Sequence, residues 1–141
     1  MKNYSASILT IFAVSLLALT GCSDSGEYKV VEIAGTVTYE GEPVGNIGLI
    51  FTPAEGRPSL AVTDDSGKFS LYYTAEQSGA QVGTHQVIFE FPPTPLDGSL
   101  PEETEPTEAI KAIMASYGPG GSPLTVEVTE ANKDFKIALP Q

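Results

Sequence analysis

Beyond residue 30 the chain repeats one pattern: apolar side chains at every second position, in short runs closed by Gly, Pro, Asn or Asp. Successive side chains of a strand point to opposite faces, so a period of two marks a strand with one face buried and one wet. Val31, Ile33, Val37 and Tyr39 fall on one side of the first run, with Glu32, Thr36 and Thr38 on the other. Gly41-Glu42-Pro43 turns the chain, and Ile47, Leu49 and Phe51 alternate through a second strand that ends at Pro53 and Gly56. Leu60 to Thr63 is a third strand, Asp64-Asp65-Ser66-Gly67 a tight hairpin turn, and Phe69, Leu71 and Tyr73 mark a fourth, with Tyr73 facing inward and Tyr72 outward. After a Gly-bounded stretch from Ser78 to Gly83, Val87, Phe89 and Phe91 carry a fifth strand. Leu124, Val126 and Val128 carry a sixth, and Phe135, Ile137 and Leu139 a seventh after the Ala131-Asn132 turn. Seven short strands separated by turn signals suit two antiparallel sheets packed face to face. The 14 glycines and 11 prolines supply the turns that such a fold needs.

Residues 92 to 121 depart from the pattern, being rich in Pro, Gly and Glu. A loop of this length is usually functional or disordered. Inside it Ile110, Ile113, Met114 and Tyr117 fall at i, i+3, i+4 and i+7, which is one face of a helix. Gly118-Pro119 is a helix stop, and Glu102, Glu103, Glu105 and Glu108 suit the positive end of the helix dipole. The pattern predicts a short helix from about Pro106 to Tyr117, in the long loop before the sixth strand. Its stripe is expected to dock on the sandwich itself. The alternative is a partner-binding flap with Ile110, Ile113, Met114 and Tyr117 as the partner surface.

The first 21 residues read as a removable secretion signal. Lys2 supplies a positive start, and the apolar run from Ile8 to Leu19 is too short for the ~20 residues a membrane-crossing helix needs. The run ends in Leu19-Thr20-Gly21-Cys22, which resembles the lipobox of bacterial lipoproteins. There a small residue lets the signal peptidase reach the backbone, and the cysteine thiol is diacylated before cleavage. The resemblance implies a lipid at Cys22, the one cysteine of the chain, with the freed amine acylated as well. An ordinary signal peptide with an incidental cysteine is the plainer reading, and the position of Cys22 directly after Gly21 disfavours it. Two or more acyl chains hold a protein on a membrane stably. Residues 22 to 28 form the lipidated cysteine and a tether, whose last six residues span ~20 Å at most. A residue other than Asp after the cysteine points to the outer membrane, facing the periplasm, in a cell with two membranes.

The remaining residues, 29 to 141, are of single-domain size. Without the leader the chain carries six basic against 18 acidic side chains, a net charge of −12. Such a surface repels nucleic-acid phosphates and anionic headgroups, so no nucleic-acid partner is expected and attachment falls to the lipid. Solubility explains the acidity more simply than an acidic recognition surface does.

Gly35-Thr36-Val37, Glu42-Pro43-Val44, Ile47 to Pro53, and Thr63-Asp64-Asp65-Ser66-Gly67-Lys68-Phe69 occur in that order. Together they resemble the carboxypeptidase regulatory-like family over residues 29 to 139, and most closely the small bacterial lipoproteins that carry this one domain. The resemblance implies the family's fold, an all-β, seven-stranded Greek-key sandwich of transthyretin-like (prealbumin-like) type. Val82-Gly83-Thr84-His85 stands where the family often has Pro-Gly-x-Tyr, and the insertion at 92 to 121 exceeds the minimal domain. Tyr117 followed by Ser122-Pro123-Leu124 again resembles the lipoprotein subgroup.

The residue inventory offers little chemistry. His85, the one histidine, sits at the opening of a strand and reads as structural or solvent-facing. No Gly-x-Ser-x-Gly elbow accompanies it, and one histidine with one cysteine does not make a zinc site. Asp64 and Asp65 lack the spaced oxygen ligands of a calcium loop and read as turn residues. The chain ends Ala138-Leu139-Pro140-Gln141, not in the Tyr-Arg-Gly-Ser tail of the hydroxyisourate hydrolases of similar fold. The expectation is a non-enzymatic envelope lipoprotein without cofactor or metal, acting as a structural or binding accessory with an envelope protein or polysaccharide as partner. The alternatives are a carbohydrate- or peptide-binding module, for which Tyr72 is the strand-borne aromatic, and a hydrolase of unknown class.

Overall fold

Alternation becomes layering in the structure, a computed structural model that describes residues 28 to 141. The secretion signal, Cys22 and the tether before Tyr28 lie outside the described residues. The strands are β1 (Val30–Val31), β2 (Ile33–Tyr39), β3 (Glu42–Pro43), β4 (Gly48–Pro53), β5 (Ser59–Val62), β6 (Lys68–Ser70), β7 (Ala80–Gln81) and β8 (Gly83–Glu90). The helix α1 (Glu108–Tyr117) follows, then β9 (Thr125–Val128) and β10 (Asn132–Leu139). The described chain is therefore mostly β. One sheet runs β5-β4-β8-β9, and β2 centres the other, with β10 along one edge and β6 and β3 along the opposite edge. A ribbon of β1 and β7 stands apart from both.

The two main sheets face each other across one core. Ile33 and Val37 from β2, Leu49 and Phe51 from β4, Val87 and Phe89 from β8, and Ile137 and Leu139 from β10 are all buried in it. Phe51 spans the gap: its ring centre lies 6.4 Å from that of Phe69 and 6.3 Å from that of Phe135, both from the opposite sheet. Tilted and edge-on aromatic pairs of this kind add roughly 0.5–1.5 kcal/mol each beyond their buried area.

Three expectations need correction. The sheets are not wholly antiparallel, because β10 runs parallel to β2. Alternation fixes which face a strand buries but not its direction, and here β9 and β10 belong to different sheets, so no hairpin sets their relation. The strands number ten among the described residues, because three two-residue strands, Val30–Val31, Glu42–Pro43 and Ala80–Gln81, join the seven longer ones. The fourth strand stops at Ser70, so Tyr73 is not an inward strand residue but a half-buried one at a turn.

Two glycines show why the sequence folds this way. Gly67 has φ +75° in the 64–67 turn, and a Cβ there would lie 2.7 Å from the Val37 carbonyl oxygen. Gly35 sits beside the register shift in β10, where a Cβ would collide with the Phe135 carbonyl. The 64–67 turn is also capped: Asp64 Oδ1 accepts the Ser66 and Lys68 N–H groups at 2.9 and 3.0 Å and the Ser66 hydroxyl at 2.7 Å. These bonds, the Ser66 hydroxyl foremost, hold the Asp64 carboxyl below its ordinary pKa.

Helix α1 begins at Thr107, whose hydroxyl accepts the Ile110 N–H at 3.2 Å, and ends at Gly118, whose N–H donates to the Met114 carbonyl at 3.1 Å. The helix lies against β8. Ile110 and Ile113 are buried, Met114 and Tyr117 pack against the core, and the Tyr117 ring meets Phe89 edge-on with centres 6.3 Å apart.

Candidate functional site

A concavity lies on the outer side of β5, an edge strand. Ser59 and Ala61 point into the core, so Leu60 points out. The backbone of Tyr72 pairs with Leu60 through two hydrogen bonds of 2.8 and 2.9 Å and bridges to Ser78 on its other side. Residues directly opposite in an antiparallel bridge share a face. Leu71 therefore enters the core while the Tyr72 side chain stands outside, 39% exposed. Tyr73 follows at a tight turn in which its N–H donates to the Gln77 carbonyl at 2.9 Å and Thr74 Oγ1 accepts the N–H groups of Glu76 and Gln77. The backbone of both tyrosines is thus held by hydrogen bonds.

Arg57, in the loop between β4 and β5, completes the arrangement. Its guanidinium carbon lies 5.6 Å from the Tyr73 ring centre, within cation–π range. Arg57, Leu60, Tyr72 and Tyr73 form one wall of a cleft of about 330 Å³, with Thr94 and Leu96 of the long loop opposite. That volume is at the small end of the usual range for ligand sites. No carboxylate lines it, although the chain has 18 acidic residues. Arg57 is the one arginine of the chain, and the ion pairs among the described residues, Lys111–Glu108, Lys133–Glu32 and Lys136–Asp134, do not use it.

A second cleft, of about 640 Å³, opens on the other side of Pro95 and Leu96, between Asn46 and Val62 on the sheet and Leu100 and Glu102 on the loop. Its loop wall is held by bonds within the loop or to the end of β8. Asp97 Oδ1 accepts the Ser99 N–H at 3.0 Å, which lowers the Asp97 carboxyl pKa, and Glu90 Oε1 accepts the Thr94 N–H. The smaller cleft has the more specific chemistry, with two tyrosines and Arg57 in its wall.

The residues singled out in the sequence are scattered. The stripe of Ile110, Ile113, Met114 and Tyr117 is turned onto β8 and the core, so it presents no open apolar face to a partner. Cys22 lies outside the described residues. His85 is 1% exposed, packed with its ring centre 6.0 Å from that of Phe51, and its Nδ1 lies 3.1 Å from the Gly83 carbonyl oxygen. Burial pulls its pKa below the ordinary 6.5, so the ring is neutral and closed off from solvent. Asp64 serves its own turn. Among the described residues no three of His, Cys, Asp and Glu gather in a way that could hold a metal ion, and no helix is long and apolar enough to cross a membrane. Sequence reasoning found Tyr72 but not Tyr73 or Arg57 beside it. The Tyr-Tyr pair and the lone arginine were visible, but their meeting depends on the bridge between Leu60 and Tyr72.

No family model, curated protein or solved structure matches this chain.

Proposed function

We propose that this protein is a lipid-anchored, non-enzymatic accessory of the cell envelope whose β domain binds carbohydrate in the Tyr72–Tyr73 cleft. The observation that carries the reading is the pair of tyrosines held beside an edge strand, one half-exposed and one with its ring centre 5.6 Å from the Arg57 guanidinium carbon, in a concavity of ligand size. Sugar rings offer apolar C–H faces to aromatic planes and hydroxyls to polar neighbours, and the Thr74 and Thr94 side chains border the same space. The anchor rests on Leu19-Thr20-Gly21-Cys22 at the end of an apolar leader. With so short a tether the domain stays near its membrane. A Cβ built on Gly56 would touch the Tyr28 ring at 3.4 Å, so the chain enters the domain beside the loop that carries Arg57.

The finer fold belongs to the same proposal: a Greek-key sandwich of transthyretin-like, carboxypeptidase regulatory-like type. In support, seven strands are three residues or longer, and the chain changes main sheet after β3, after β5, on leaving β6 for β8, and after β9. The binding reading is tested with the detergent-extracted full chain on a panel of neutral and acidic oligosaccharides. Wild type should bind at least one class, and Tyr72→Ala should lose it without a change in melting temperature. A wild type that binds no saccharide, or a Tyr72→Ala variant that binds as well as wild type, overturns the reading.

A further inference from the structure

Resting on that reading, we infer that the cleft selects a saccharide bearing a single carboxylate, with Arg57 as the residue that reads the acid. The Arg57 guanidinium carbon lies over the Tyr73 ring, 5.6 Å from its centre, and no carboxylate lines the cleft to neutralise it. None of the ion pairs among the described residues uses its N–H groups, and the N–H fork of a guanidinium is the part that matches a carboxylate bidentately. Holding the group on the ring also lowers the ordering entropy that an arginine on an open loop would lose on binding.

Charge sets the rest of the selectivity. The chain as a whole is strongly acidic, with a net charge of −11, and the neighbouring cleft presents Asp97 and Glu102. An anion is therefore repelled over most of the surface and attracted where Arg57 meets the two tyrosines. A polymer with an acid on every ring would set its remaining charges against that acidic surroundings, whereas one acid on an otherwise neutral glycan would not. The ligand class that fits is a pyranoside or short oligosaccharide with one uronic-type carboxylate, its ring on Tyr72 and its acid on Arg57. A cleft of about 330 Å³ suits one or two sugar rings.

The test uses matched pairs of methyl pyranosides of the gluco, galacto and manno series that differ only at C6, one member carrying a hydroxymethyl group and the other a carboxylate. They are titrated by saturation-transfer NMR against the detergent-extracted full chain. The acid should bind about tenfold more tightly than its neutral partner in at least one pair, the gain expected of one charge-assisted bidentate contact. Arg57→Gln should erase that difference, and Arg57→Lys should keep only part of it. Tyr72→Ala should weaken both members together, and raising the salt should reduce only the acid's advantage. Equal affinities within every pair overturn this inference and leave the carbohydrate reading standing. Binding by no saccharide overturns both. A peptide ending in a free carboxylate that binds more tightly than every pyranoside overturns the saccharide assignment.

Discussion

Ile113 offers the sharpest test of how the long insertion is held. Its side chain is wholly buried, between α1 and the core, and the same helix places Ile110, Met114 and Tyr117 against the sandwich. Ile113→Ala removes buried methyl and methylene groups and leaves a cavity, a change that costs about 2–5 kcal/mol in well-packed cores. For a domain near 110 residues each kcal/mol corresponds to roughly 3–5 °C, so a loss of about 3 kcal/mol should lower Tm by about 10–15 °C. Ile113→Asp should cost more, because the carboxyl must either be buried without a partner or expel the helix. Lys111→Ala, two residues away on the exposed face, removes only a surface ion pair with Glu108 and should leave Tm nearly unchanged. Thermal melts followed by far-UV circular dichroism separate these outcomes. If Ile113→Ala melts within a degree or two of wild type, the helix is not part of the cooperative unit and the packing argument fails.

Other outcomes follow from the turn and from the buried histidine. Gly67→Val should cost about 3 kcal/mol, since a β-branched residue resists a positive φ and its Cβ would press on the Val37 carbonyl; Gly67→Asn should melt closer to wild type. Calcium should leave the melting temperature of wild type alone, because Asp64 is occupied by its own turn, while Asp64→Ala should lower it; a calcium-dependent rise in Tm would contradict that assignment. His85 has a folded pKa below its ordinary 6.5, so as pH falls the unfolded chain takes up a proton that the fold resists. Its contribution is therefore full above about pH 6.5 and is lost as pH drops through the folded value. Asp64 and Asp97, with carboxyls below 3.8, act only in a more acidic window. Denaturant melts between pH 7.5 and 5 should show stability falling with pH, and His85→Gln should flatten the slope.

Local chemistry was readable from the residues, and long-range pairing was not. The 64–67 turn could be read because its cause is local: a glycine that takes positive φ and an aspartate two and four residues from the N–H groups it caps. The helix could be read because Ile110, Ile113, Met114 and Tyr117 share a face and Gly118-Pro119 ends it. The parallel match of β10 to β2 leaves no trace in alternation, since Ile137 and Leu139 would be buried in either direction. Tyr73 was misplaced for a related reason. Its spacing from Phe69 and Leu71 continues the strand period, but the chain leaves that register when Tyr72 pairs with Leu60 and the turn at Thr74 begins. The cleft was invisible in sequence because Arg57 and Tyr73 meet only after that pairing forms.

The proposed role depends on the chain being held at a membrane by its one cysteine. The intact mass of the protein purified from native membranes tests this directly. The account predicts a polypeptide beginning at Cys22, heavier than its sequence by a diacylglycerol thioether and an N-terminal acyl chain, and a Cys22→Ser protein that either stays unprocessed or leaves the membrane fraction. A mature chain with an unmodified Cys22 thiol, or a Cys22→Ser protein still processed and membrane-bound, would contradict it.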